Sequence, residues 1–268
     1  MIFRYYKYFR WLSLDIVLGA IVFLAFLEKH YSQEIQLTVY FALAAAVWLI
    51  YTADHLIDSA QAEGSPRRRF HQKYYKVLIF IGGLIFILAI LNLPFLPGEV
   101  LRSGAVLSAS CISYLLLVFF FKRLWVKEVL VAVGYAIGIF LAPLSMLNRL
   151  DASDTMMVVQ LFIIALINLV IFSRFDIEED TGQGFGSIAI RIGLRNTDTL
   201  IKALILLSAV LSVIGLNLGH GIFFIQLSYL MMTGVLAIVD YWPSYFNINE
   251  RFRLVGDAVF YVPVIFLW

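Results

Sequence analysis

Charged residues are scarce in this sequence of 268 residues. Only 14% are Asp, Glu, Lys or Arg, against roughly a quarter in a typical soluble domain. A soluble fold of this length needs a charged surface around its core, so a soluble globular enzyme is excluded. The single cysteine, Cys111, excludes a disulfide scaffold. A net charge of +2 is too small to indicate a nucleic-acid partner, and none is expected.

What the sequence has instead is apolar length, with 62% hydrophobic residues and a mean hydropathy of +0.90. Crossing a hydrocarbon core of about 30 Å takes roughly 20 apolar residues. Open strands would leave backbone groups unpaired in lipid, so continuous apolar runs predict helices. We therefore predict an all-α polytopic membrane protein with nine transmembrane helices, at 11–27, 35–57, 76–96, 100–121, 126–147, 155–175, 198–218, 221–239 and 253–268.

The distribution of Lys and Arg predicts how these helices are oriented in the bilayer. With the N-terminus in the cytoplasm, all but three of the 20 basic residues fall on the cytoplasmic side. The three exceptions are Lys29, Arg102 and Arg149. We therefore expect a cytoplasmic N-terminus and an external C-terminus. No Arg- and Ser-rich transit segment precedes the first span, which favours a prokaryotic cell membrane.

Two pairs of aspartates lie at the cytoplasmic ends of predicted spans. Asp54 and Asp58 end the second span, and Asp176 and Asp180 end the sixth, each in the spacing D-x-x-x-D. On a continuing helix, residues at i and i+4 share one face, with Cβ atoms about 5–6 Å apart. The helix macrodipole disfavours negative charge at a C-terminus. A bound cation is the simplest compensation.

Basic residues follow the acidic pairs on the same side of the membrane. Mg²⁺ takes one or two carboxylates and completes its coordination with water and phosphate oxygens, and arginine binds phosphate through two parallel hydrogen bonds. Together they predict a site for a Mg²⁺-bridged diphosphate, with seven candidate diphosphate-binding residues: Arg67, Arg68, Arg69, Lys73, Lys122, Arg123 and Arg191.

The two acidic pairs lie four helices apart, each at the end of a span. The alternative, that they are surface residues of cytoplasmic loops without a function, is therefore the weaker interpretation. The repeated placement predicts two similar halves within a single domain, 1–268. The halves span about 11–121 and 126–239, and the ninth helix, 253–268, follows them.

On these residues the sequence resembles the UbiA superfamily of intramembrane prenyltransferases. The family pattern is N-D-x-x-D-x-x-x-D after the second helix and D-x-x-x-D after the sixth, on a nine-helix bundle. The second motif matches in full at Asp176 and Asp180. The basic stretch 67–73 and the pair at 122–123 stand where the family places diphosphate-binding bases.

The first motif departs from the family pattern at its beginning. Its last two acids fall on Asp54 and Asp58, whereas Ile50 and Tyr51 occupy the leading Asn and Asp positions. Four carboxylates remain between the two motifs. The resemblance therefore still implies binding of Mg²⁺. Tyr51 in place of an acid leaves two interpretations open, an unusual substrate or a loss of catalysis.

The resemblance implies a bundle with a central cavity and a Mg²⁺-dependent transfer of an isoprenoid group. The donor would be a prenyl diphosphate and the acceptor a lipophilic or aromatic molecule, with the site at the cytoplasmic face and no required protein partner. Asp54, Asp58, Asp176 and Asp180 would be the catalytic and metal-binding residues. Tyr51, Tyr114 and Asn168 are candidates for the lining of the cavity.

Two alternative functions, and the roles of two further acids, stay open at this point. The acidic pairs would also suit a cation-coupled transporter, or a homologue that binds a lipid diphosphate without catalysis. Asp15 and Asp257 each lie about one turn inside a cytoplasmic helix end. Pairing with loop arginines is the favoured interpretation for both, and participation in the polar site is the other.

Overall fold

The fold is known from a computed structural model that describes residues 2–61, 65–121, 124–147, 149–217 and 220–268. Within these ranges the chain forms fourteen α-helices and no strand, which confirms the all-α prediction. In chain order they are α1 (Ile2–Trp11), α2 (Leu14–Tyr31), α3 (Leu37–Gln61), α4 (Pro66–Lys73), α5 (Tyr75–Asn92), α6 (Gly98–Phe120), α7 (Lys127–Ser145), α8 (Ala152–Phe175), α9 (Ile177–Gln183), α10 (Ile188–Ile192), α11 (Leu194–Asn217), α12 (Phe223–Tyr241), α13 (Pro243–Asn247) and α14 (Arg251–Ala258). Short 3₁₀ segments cover Leu93–Phe95, His220–Ile222, Ile248–Glu250 and Val259–Phe266.

Seven of the helices in the described ranges are long and apolar enough to cross a bilayer. They coincide with the second to eighth predicted spans, and they make the chain an integral multi-pass membrane protein. The segments are Leu37–Ala60, Tyr75–Phe95, Gly98–Phe120, Lys127–Ser145, Ala152–Phe175, Leu194–Asn217 and Phe223–Tyr241.

The first and ninth predicted spans differ from these seven. Helix α2 has only 18 residues, and three of them, Asp15, Glu28 and Lys29, are charged. Helix α14 ends after eight residues, and the chain continues as a 3₁₀ helix through Pro263. Proline has no backbone N–H to donate, so it weakens a regular α-helix there. Nine spans and the orientation of both termini therefore stay predictions.

The helices pack in a closed ring around an interior that is partly apolar and partly polar. Helix α8 is the most buried: Leu161, Ile164, Ile167 and Ile171 belong to the core cluster. Helix α8 contacts α7, α11 and α12, while α2 contacts α3, α7 and the Val259–Phe266 segment, which joins the two ends of the chain. Most side chains of α5 and α6 are exposed and face outward, as expected for helices in contact with lipid.

Hydrogen bonds between buried amides hold α8 to α12. The Gln160 and Gln226 carboxamides donate to each other, with N···O distances of 2.8 and 2.9 Å, and Gln160 also donates to the Ser212 hydroxyl at 3.4 Å. Polar pairs of this kind favour helix association because lipid offers them no other partner. Gly215 on α11 makes the space, since a Cβ there would lie 2.4 Å from Cδ of Gln226.

We predict that Gly215→Ala destabilises the bundle. The added methyl group displaces Gln226 and breaks the reciprocal amide pair, at a cost of about 1–3 kcal/mol from overpacking. The control is Gly83→Ala on the outward-facing α5, where a Cβ meets no atom within 4 Å. Thermal unfolding in detergent should show a lower Tm for the first variant alone, and equal Tm values would contradict the role assigned to Gly215.

Candidate active site

The first acidic pair lies on one face of a continuous helix. Helix α3 runs to Gln61, so Asp54 and Asp58 are one turn apart on it, as the sequence predicts. The second pair straddles a junction, because α8 ends at Phe175, Asp176 follows as its C-cap, and Asp180 lies in α9. The backbone N–H of Asp180 still donates to the carbonyl oxygen of Asp176 at 2.8 Å. The one-turn spacing is therefore kept.

A single cavity of about 380 Å³ brings both pairs together. It lies within the ring of helices and has polar and apolar walls. All four aspartates and seven further predicted or weighed residues contribute to its lining: Arg67, Arg68, Tyr51, Tyr114, Asn168, Asp15 and Asp257. The structure thus collects side chains from both predicted halves of the chain around one space.

The first pair faces a tyrosine and a lysine. The Tyr114 hydroxyl donates to Oδ1 of Asp54 at 3.1 Å. Lys127, at the start of α7, lines the small pocket of about 20 Å³ next to Asp54 and Asp58. Its ammonium lies 5.8 Å from the ring centroid of Phe185, and the guanidinium of Arg68 lies 4.8 Å from the same centroid. Phe185 therefore supports both cations by cation–π contact.

The second pair is engaged by arginines from distant parts of the chain. Arg253 on α14 donates to the carboxylate of Asp176. Arg68 on α4 donates to Oε1 of Glu179 at 3.2 Å and lies 3.9 Å from Oδ1 of Asp180. Burial raises the pKa of the Asp180 carboxyl, and the nearby ammonium of Lys127 opposes that shift. The negative charge of the second pair is therefore compensated by bases from both predicted halves of the chain and from the segment after them.

The predicted diphosphate-binding residues divide into three groups. Arg67 and Arg68 point into the cavity. Arg69, Lys73 and Arg191 are exposed and do not contribute to its lining, since α4 turns only one of its faces inward. Lys122 and Arg123 lie outside the described residues.

Three bases of the cavity lining have no place in the motifs, namely Arg10, Lys127 and Arg253. Arg10 belongs to the basic N-terminal segment. Lys127 could have been predicted from the sequence, because it is a base at the beginning of a span and lies close to the predicted pair at 122–123. Arg253 could not, because it is distant in the sequence from the motifs and reaches Asp176 only through the packing of α14.

Acidic side chains outnumber basic ones around the cavity. The five bases are Arg10, Arg67, Arg68, Lys127 and Arg253. The nine acids are Asp15, Asp54, Asp58, Glu128, Asp176, Glu179, Asp180, Glu250 and Asp257. Among the described residues no three His, Cys, Asp or Glu side chains converge closely enough to hold an ion by themselves. Mg²⁺ needs only one or two carboxylates when water and phosphate oxygens complete its octahedron, so two separate pairs in an acidic cavity fit it.

Comparison with known proteins gives the fold. Neither a protein-family model nor a curated protein sequence matches the chain. Among solved structures it is similar to a UbiA homologue from Aeropyrum pernix K1, with a TM-score of 0.66 at 16% identity over 95% of this chain and 98% of that one. The chain has the UbiA fold.

Two further solved structures are similar to this chain over nearly its whole length. A UbiA homologue from Archaeoglobus fulgidus, bound to GPP and Mg²⁺, aligns with a TM-score of 0.68 at 12% identity over 97% of this chain and 99% of that one. A digeranylgeranylglyceryl phosphate synthase aligns with a TM-score of 0.58 at 15% identity over 94% of both chains. The likeness covers nearly the whole length of each protein.

We predict that Asp176 and Arg253 stabilise the fold as a coupled pair. Arg253→Gln leaves a partly buried carboxylate without its partner, and Asp176→Asn leaves the guanidinium, each at a cost of about 1–2 kcal/mol. The double variant should therefore lose less than the sum of the single variants. Thermal unfolding of the wild type, the two single variants and the double variant in detergent measures this coupling. Arg195→Gln is the control, because Arg195 is exposed. Strict additivity would show that the two groups are not coupled.

Proposed function

We propose that this chain is a member of the UbiA superfamily and acts as a Mg²⁺-dependent intramembrane prenyltransferase. It would move an isoprenoid group from a prenyl diphosphate to a lipophilic or aromatic acceptor. One observation carries the proposal: two D-x-x-x-D pairs, one from each half of the chain, line the same cavity together with inward-facing bases. The solved neighbour from Archaeoglobus fulgidus that is bound to GPP and Mg²⁺ supports it.

The four aspartates are assigned to the metal. Asp54 and Asp58 would hold one Mg²⁺, and Asp176 and Asp180 a second. When bound, the ions stabilise the negative charge that develops on the departing diphosphate. Arg253 and Arg68 now contact the second pair, so both guanidinium groups stand beside the place where the diphosphate oxygens would bind.

Arg67 is the base best placed to bind the diphosphate directly. It lines the cavity, and within the described part of the chain it forms no ion pair within 4.0 Å. Burial lowers the pKa of its guanidinium, and the positive charge of Arg253 lowers it further. Two partly buried guanidinium groups close enough to repel each other favour an anion between them, and a diphosphate supplies one.

The walls of the cavity suit the carbon chain of the donor. Tyr51, Tyr114, Tyr135, Phe172 and Phe260 contribute to the lining. Aromatic faces stabilise an adjacent cation by about 1–2 kcal/mol when water is excluded, which suits an allylic cation left after the diphosphate departs. The same walls keep water from reacting with that cation. Tyr51, which replaces an acid of the family motif, thus serves the carbon chain instead of the metal.

The membrane arrangement belongs to the same proposal. The halves 11–121 and 126–239 each contribute one acidic pair, and the predicted topology puts both pairs at the cytoplasmic face of a prokaryotic membrane. A water-soluble donor headgroup would reach the acids from that side, whereas a lipophilic acceptor would enter from the bilayer.

Purified protein supplied with Mg²⁺, geranyl diphosphate or longer prenyl diphosphates, and a panel of lipophilic acceptors should release diphosphate. We predict that Asp176→Asn/Asp180→Asn lowers the rate at least 100-fold and that EDTA abolishes it, because the second metal loses its ligands. The matched control is Glu178→Gln, an exposed acid on the same helix as Asp180, which should keep the rate. Release of diphosphate at an unchanged rate in the double variant would refute the assignment.

A diphosphate-binding homologue without catalysis is the second candidate, and Tyr51 at the position of the leading acid of the first motif favours it. Calorimetric titration with geranyl diphosphate distinguishes the two functions. Mg²⁺-dependent binding without any release of diphosphate supports the second candidate, and turnover rules it out.

A further inference from the structure

A single carboxylate lies between two arginines of the cavity. Oε2 of Glu250 is 3.9 Å from Nη2 of Arg10 on α1 and 3.8 Å from Nε of Arg253 on α14. All three residues contribute to the lining of the cavity. One oxygen atom is therefore shared by two cations that come from opposite ends of the chain.

Neither of these two contacts is a hydrogen bond. Hydrogen bonds from N–H to oxygen have N···O distances of about 2.7–3.2 Å, and both contacts are longer. The Arg10 and Arg253 side chains are only 12% and 16% exposed, whereas the Glu250 side chain is 49% exposed. Two largely buried cations thus share an acid that is half in solvent and reaches neither of them closely.

The guanidinium of Arg10 has an unmet hydrogen-bond donor. Its Nε atom is buried without a hydrogen-bond partner in the described chain, although it lies 4.0 Å from Oδ2 of Asp15. Asp15 therefore has the pairing with an arginine that the sequence predicts, whereas Asp257 has no ion pair within 4.0 Å among the residues that the structure describes. A buried guanidinium in this condition favours an anion that accepts hydrogen bonds from it.

The backbone that carries Glu250 is strained. Asn249 and Glu250 have φ angles of 54° and 56°, in the left-handed region, and neither is glycine. They lie between α13 and α14. The side chain crowds the backbone in this conformation, which asparagine tolerates better than glutamate does. Holding Glu250 beside the two arginines therefore costs free energy, and its release would return that free energy.

The strained residues lie between two fixed points. Phe246 on α13 and Phe252 on α14 both belong to the core cluster, and the ring of Phe252 stacks on that of Phe175 with a centroid distance of 4.3 Å. Residues 247–250 between these two points are exposed. Glu250 can therefore turn toward solvent through changes of backbone angles within this segment, while α13 and α14 stay in place.

Arg253 connects this arrangement to the acidic pair assigned to the metal. The guanidinium that lies beside Glu250 also donates to the carboxylate of Asp176. An anion in the place of Glu250 would therefore lie next to Asp176. A phosphate group has several oxygens and can accept hydrogen bonds from both arginines, which Oε2 of Glu250 does not do.

We propose that Glu250 is an internal anion that occupies the place of a diphosphate oxygen between Arg10 and Arg253 and that binding of the donor displaces it; this inference rests on the proposed function. The diphosphate then accepts hydrogen bonds from both arginines, and Glu250 turns into solvent as its backbone leaves the left-handed region. Residues Ile248–Glu250 thus form a latch that a phosphate group opens. A ligand without such a group leaves the latch closed.

Calorimetric titration with geranyl diphosphate in the presence of Mg²⁺ tests the displacement. We expect Glu250→Gln to lower the Kd about 5-fold or more, because the neutral amide no longer competes with the diphosphate for the two arginines. The matched control is Glu178→Gln, an exposed acid outside the cavity lining, which should keep the Kd of the wild type. An unchanged or higher Kd in Glu250→Gln would overturn the proposal.

A double-variant cycle separates this competition from a general effect of charge. In an Arg10→Gln background, the gain from Glu250→Gln should fall to about 2-fold or less, because Glu250 no longer blocks a second arginine there. Loss of repulsion between Glu250 and the diphosphate alone would give equal gains in both backgrounds, and that result would contradict the proposal. Binding of geranyl diphosphate by neither the wild type nor Glu250→Gln would instead refute the proposed function.

The backbone gives an independent measurement. The N–H of Arg251 donates to the carbonyl oxygen of Ile248 in the strained conformation. We expect faster hydrogen exchange at residues 248–251 once geranyl diphosphate and Mg²⁺ are bound. Asn249→Gly should raise the Kd about 2-fold or more, opposite to Glu250→Gln, because glycine removes the strain that favours opening. Exchange that is unchanged or slower, or a Kd that does not rise in Asn249→Gly, would contradict the latch, and Tm values show whether each variant is folded.

Discussion

The cost of placing carboxylates away from water governs the interior of this protein. Most of the chain has lipid as its solvent, yet nine acidic side chains line one cavity against five basic ones. Each carboxylate must find a proton, a base or a metal ion, because an unpaired charge in a low-dielectric interior costs several kcal/mol. Arg68 and Arg253 meet part of that demand at the second acidic pair. The remaining negative charge is the physical basis for the proposed binding of Mg²⁺ in this cavity.

The bases that balance these acids come from other helices than the acids themselves. Arg68 on α4 contacts α9, and Arg253 on α14 contacts the end of α8. Phe185 lies under both Arg68 and Lys127, so one aromatic ring couples the first half of the chain to the second. The charge balance of the site therefore depends on contacts between helices that are far apart in the sequence.

Much of the fold follows from the sequence because lipid imposes simple rules. Apolar runs of about 20 residues predict seven helices that the structure has, and the D-x-x-x-D spacing predicts which side chains share a face. The ends of the chain were harder to predict: three charges in α2 and Pro263 after α14 obscure the spans there. Arg253 and Asp257 reach the site only because Gly256 admits Asn168 and Phe172. Such a close approach depends on packing between distant segments, which no local pattern encodes.

The ring of helices is closed by contacts between α2 and the segment Val259–Phe266. The Lys29 ammonium on α2 donates to the carbonyl oxygens of Phe266 and Trp268 at 3.1 and 3.2 Å, and the Tyr261 hydroxyl donates to the carbonyl oxygen of Asp15 at 2.7 Å. These hydrogen bonds join residues 237, 239 and 246 positions apart in the sequence. The wall of the cavity that carries Asp257 therefore forms only when α2 and the segment 259–268 have docked against each other. A cut or a large displacement in either segment would open the cavity to its surroundings.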